Sequence, residues 1–67
     1  MTHSEALTLT NRLQTTLGVL KEERQRIRRS AAYRIGTSAS YIKLGNVSEA
    51  YLAVFKILEN HRQQYGV

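Results

Sequence analysis

The chain has no cysteine, no proline, no tryptophan and no aspartate. Without cysteine there is no disulfide framework and no thiolate metal site. Without proline nothing in the chain forbids a helix outright, and the β-branched residues never form a sustained alternating run. Only Leu7-Thr8-Leu9-Thr10 alternates, and four residues cannot make a sheet alone. No apolar run approaches the roughly 20 residues that span a bilayer, and the first ten residues lack the basic start and apolar stretch of a signal peptide. These absences predict a soluble, cytoplasmic, all-α protein with no membrane segment.

Catalytic chemistry is equally short of material. The only histidines, His3 and His61, stand near opposite ends, and the five acids are all glutamates. No glutamate is spaced with a histidine as a zinc or hydrolase motif requires. Gly36, Gly45 and Gly66 follow no strand and precede no lysine, so they make no phosphate-binding loop. The sequence therefore points away from an enzyme, and no metal or cofactor is expected. His3 reads as a terminal residue and His61 as a helix-end residue at the negative pole of the helix dipole.

What the chain does have is positive charge and leucine spacing. Ten Lys and Arg face five Glu in 67 residues, and seven of the ten are arginine. Five of those arginines, Arg24, Arg26, Arg28, Arg29 and Arg34, fall in eleven residues that hold no acid. A pI near 10.1 on one small domain, residues 1–67, favours an anionic partner, nucleic acid first and a membrane surface second.

The expected elements follow from spacing and caps. A long first helix starts near Ser4 and carries Leu9, Leu13, Leu17, Leu20, Arg24, Ile27 and Ala31 on one face. The polar run Glu22–Arg26 leaves open a bend or break near Gln25. A second piece over 27–35 ends at Gly36, which accepts the left-handed conformation after a helix. Thr37 or Ser38 caps a short helix over 38–44, ended by Gly45. Asn46, with Glu49 three residues on, caps a last helix to about residue 64, with Val47, Ala50, Tyr51, Val54, Ile57, Leu58 and His61 on one broad face. That is about four helices, with a helix-turn-helix in the middle.

Ala32 suits the small contact position of such a motif, Gly36 its turn, and Ile42 the apolar anchor of its second helix. The stretch AAYRIGTSASYIK resembles the helix-turn-helix of the phage-repressor and Cro-like family, and VSEAYLAVFKIL looks like that family's next core helix. The resemblance implies a small sequence-specific transcriptional regulator, a repressor in most readings, acting as a homodimer on double-stranded DNA. It would place Ser38, Ala39, Ser40 and Lys43 toward the major groove and Arg28, Arg29, Arg34 and Thr37 on phosphates. The leucine face, Leu9, Leu13, Leu17 and Leu20, becomes the candidate dimer surface.

A different class of reading stands beside it. Two long helices, about 4–35 and 47–64, folded as a hairpin over a 36–46 connector, would make a module for a helical protein partner. RLQTTLGVLKEERQRI with AYLAVFKIL also looks like the small co-chaperones of type III secretion needle subunits. A ribbon-helix-helix built on Leu7–Thr10 is a third possibility, and it leaves the last thirty residues without a role.

Overall fold

Two runs of residues in this chain repeat every three and four positions without interruption, and they dictate the architecture. Ala6, Thr10, Leu13, Leu17, Leu20, Arg24 and Ile27 form the first; Ser40, Leu44, Val47, Tyr51, Val54, Leu58, His61 and Tyr65 form the second. Every one of these side chains is buried or half-buried. A mean spacing of 3.5 is the signature of two helices kept face to face along a coiled-coil seam.

The computed structural model describes residues 1–67. It contains α1 (His3–Arg29), the single-turn α2 (Ala31–Arg34) and α3 (Ser38–Tyr65). α1 and α3 pack along their lengths as an antiparallel hairpin, giving a rod of 49 × 14 × 12 Å. The all-helical class matches the sequence expectation; the helix count is three, not four.

Side chains set both ends of α1 and the start of α2. Thr2, not Ser4, starts α1: its Oγ1 accepts from the Glu5 amide at 3.1 Å, and Glu5 Oε1 accepts from the Thr2 amide at 3.2 Å. This reciprocal pair satisfies two amides that the first turn leaves free. There is no break at Gln25. Arg24 and Ile27 continue the seam, and Glu23 pairs with Arg26 at 3.1 Å across one turn, so α1 runs on to Arg29. The chain turns instead at Ser30, whose hydroxyl donates to the Ile27 carbonyl at 2.7 Å. The same oxygen accepts from the Tyr33 amide at 3.2 Å and so caps α2.

Gly36 ends α2 as its position predicts, with φ of +77°. The Gly36 amide bonds the Tyr33 carbonyl and the Thr37 amide bonds the Ala32 carbonyl, at 3.0 and 3.1 Å. That paired closure is the common left-handed stop of a helix.

Gly45 does not end anything. α3 passes through it and through Asn46 without a break, so the expected short helix over 38–44 is the first two turns of a 28-residue helix. A glycine inside a helix costs about 1 kcal/mol relative to alanine. Leu44, Val47 and Tyr51 straddle it in seam register, and burying even one such side chain against α1 outweighs that penalty. Tertiary packing overrides the local stop signal.

Candidate interaction surfaces

A two-helix rod has one seam and no second layer, so it buries little. Only Ala6, Thr10, Ile27, Ser40, Leu58 and His61 are buried, and no large side chain is enclosed completely. Half of those six are polar, and each polar member is satisfied inside the hairpin. Thr10 donates to the Ala6 carbonyl at 3.0 Å. Ser40 Oγ sits 2.9 Å from both the Thr37 carbonyl and its hydroxyl. Nε2 of His61 donates to that same Ala6 carbonyl at 2.8 Å. His61 is thus a seam residue that ties the two free ends of the rod together, as its place on the face with Leu58 allowed, rather than only a helix-end partner of the dipole.

The leucines Leu9, Leu13, Leu17 and Leu20, expected on an outer dimer surface, are half-buried. Leu13, Leu17 and Leu20 are members of the seam itself and Leu9 borders it, because α3 needs that face for its own packing. The apolar surface left outside is different: Ile35, Met1, Ile42, Val19, Leu52, Ile57 and Tyr41 are more than half exposed, so Ile42 is not the buried anchor its place suggested, and Phe55 and Leu7 are about two-fifths exposed.

Charge is segregated along the rod. Residues 19–48, the turn end, hold seven of the ten Lys and Arg and two of the five Glu. The remaining residues hold three of each, so the whole net charge of +5 sits at one end. The proposed DNA contacts gather there: Arg28 and Arg29 close α1, Arg34 closes α2, and Thr37, Ser38, Ala39, Ser40 and Lys43 open α3. Arg28, Arg29, Arg34, Ser38, Ala39 and Lys43 are exposed. Ser40 is turned inward at 5% exposure, its hydroxyl spent on Thr37, and Thr37 is half-buried with its own hydroxyl 3.2 Å from the Ala32 carbonyl.

Arg24 belongs to the seam rather than to this exposed set. Its guanidinium carbon lies 5.3 Å from the centre of the Tyr51 ring, an attractive placement for a cation over an aromatic face. Its Nε is buried without a hydrogen-bond partner, a cost of about 1–3 kcal/mol if nothing else comes to satisfy it. Tyr51 in turn stacks on Phe55, with ring centres 6.4 Å apart and planes within 11°. This Arg24–Tyr51–Phe55 strip was missed in the sequence, although the 51–55 spacing on one helix face was there to be read.

No three His, Cys, Asp or Glu side chains stand close enough to hold a metal ion, and no helix is long and apolar enough to cross a membrane. No family model, curated protein or solved structure matches the chain.

Proposed function

We propose that the chain is a helical-hairpin docking module that offers one long face to a helical segment of another protein. The observation that carries this reading is the imbalance of burial: six buried residues, three of them polar, against a set of large apolar side chains left on the outside. Domains under about 70–80 residues rarely draw enough stability from one core. Leu52 and Phe55 are 58% and 40% exposed, so covering what remains of each with a third helix would add about 1 kcal/mol per side chain. The co-chaperones of type III secretion needle subunits, which the sequence resembles, are one instance of such a module.

The charged turn supports a second reading, the sequence-specific DNA regulator. Arg28, Arg29, Arg34 and Lys43 crowd one end of the rod; of the acids beside them, Glu23 is bound to Arg26 and Glu22 lines one hollow with Arg29. What weighs against it is shape. A groove-reading helix stands apart from its neighbours, whereas residues 38–44 here continue straight into α3 and Ser40 faces inward.

A duplex-DNA titration at low and at physiological salt separates the two. The docking reading predicts weak binding, indifferent to DNA sequence and abolished at physiological salt. Tight, sequence-selective binding that survives physiological salt would overturn it in favour of the regulator.

A further inference from the structure

We infer that the face carrying Arg24, Tyr51 and Phe55 takes an acidic amphipathic helix. The inference rests on the docking reading and adds the chemistry of the partner. Lys21, Arg24 and Arg28 are spaced by three and four residues, so they line one face of α1 over about 10 Å. None of them has a carboxylate in reach, since the only ion pair in the protein is that of Arg26 with Glu23.

The two sides of the seam differ. In an antiparallel pair, residues just after each second seam position share one flank, and residues just before each first one share the other. The arrangement bears this out on the second flank, where Glu23, Ser30 and Lys43 line one hollow. Lys21 and Arg28 fall on the first flank, together with Ser48 and Phe55. Arg24 reaches the same flank, because its guanidinium lies over Tyr51 and Tyr51 stacks on Phe55. Leu52, one turn before Phe55 and more than half exposed, widens the apolar part.

That flank is therefore apolar toward the middle of the rod and cationic toward the turn; the acid on that face, Glu59, lies one turn beyond Phe55, on the side away from Lys21, Arg24 and Arg28. A helix that fits must be apolar on one stripe and carry Asp or Glu on the turns that overlie Lys21, Arg24 and Arg28. A carboxylate there would meet a guanidinium already oriented on an aromatic ring, and a planar guanidinium is well suited to bidentate carboxylate binding. A second copy of this chain fits poorly, since its own charge at the turn end is of the same sign.

The test uses two synthetic helical peptides with identical leucine heptads, one flanked by Glu and one by Lys in its last two turns. Each is titrated by fluorescence anisotropy with the full chain. The Glu peptide should bind at least about ten-fold more tightly, because like charges facing one another across an interface are strongly disfavoured. Its advantage should shrink with salt and vanish in the triple variant K21Q/R24Q/R28Q. The double variant K21Q/R28Q, which changes only exposed side chains, should lose part of it while keeping the wild-type circular dichroism. Phe55→Ser should weaken both peptides. Equal binding of the two peptides overturns the acidic preference and leaves the docking reading standing. Binding of neither peptide, with duplex DNA bound by the wild type and released by the triple variant, overturns both.

Discussion

Nε2 of His61 donates a 2.8 Å hydrogen bond to the carbonyl of Ala6, joining residues 55 positions apart. A carbonyl can only accept, so the proton sits on Nε2. The same carbonyl receives the Thr10 hydroxyl at 3.0 Å, and the imidazole rests against Tyr65 with ring centres 5.0 Å apart. At the end of the rod away from the turn this is the polar fastening, and it is buried.

Replacing it should loosen the hairpin. His61→Ala removes a buried ring and leaves a carbonyl short of one donor, and we expect a loss of about 2–4 kcal/mol. Urea unfolding followed by circular dichroism measures it. His61→Gln, which can still donate, should lose less. Equal losses in the two variants would mean that ring packing, and not the hydrogen bond, is what His61 contributes.

Gly45 and Gly36 should respond to alanine in opposite directions. Gly45 lies within α3 and a Cβ added there meets nothing within 4 Å, so Gly45→Ala should stabilise by about 1 kcal/mol. Gly36 has φ of +77°, and an added Cβ would come within 3.5 Å of the Tyr41 hydroxyl. Gly36→Ala should destabilise by about 1–2 kcal/mol through the left-handed backbone alone. Thermal melts of the pair decide whether α3 is continuous: a destabilised Gly45→Ala would place a helix end at that residue after all.

Leu52 and Phe55 should matter to association more than to folding. Leu52→Ser and Phe55→Ser touch side chains that are 58% and 40% exposed, so each should cost less than about 1 kcal/mol for Leu52 and somewhat more for Phe55, whose ring stacks on Tyr51. Both should weaken binding of the Glu-flanked helical peptide, which fluorescence anisotropy reads directly. Peptide binding unchanged from wild type would remove this face from the account.

The sequence was most legible where one signal stood alone. The missing proline and the leucine spacing led to helices, and Gly36 led to a turn, because nothing in the tertiary fold competes with a left-handed glycine after a helix. It misled where a local signal was opposed by packing. Gly45 with Asn46 and Glu49 carries the marks of a helix end and a new cap, yet Leu44, Val47 and Tyr51 hold the helix straight against α1. Arg24 sits in the polar run Glu22–Arg26 that suggested a bend in α1. Its position fits the three-four repeat as a leucine would, and its long side chain lays the guanidinium over the Tyr51 ring. The polar pair of His61 and Ala6 needed the antiparallel register before it could be recognised at all. Leu9, Leu13, Leu17 and Leu20 were correctly grouped on one helical face, but only the path of α3 shows that this face is used within the chain.

The most direct measurement is site-specific photocrosslinking in the cells that express the protein. A photoreactive side chain placed at position 52 should give a discrete crosslinked protein band, absent when Phe55→Ser and Arg24→Gln are combined in the same chain. The same probe at position 43, on the other side of the seam, should give none of that band. A probe at 43 that crosslinks nucleic acid, with nothing at 52, would contradict the docking account and return the protein to the DNA-binding reading.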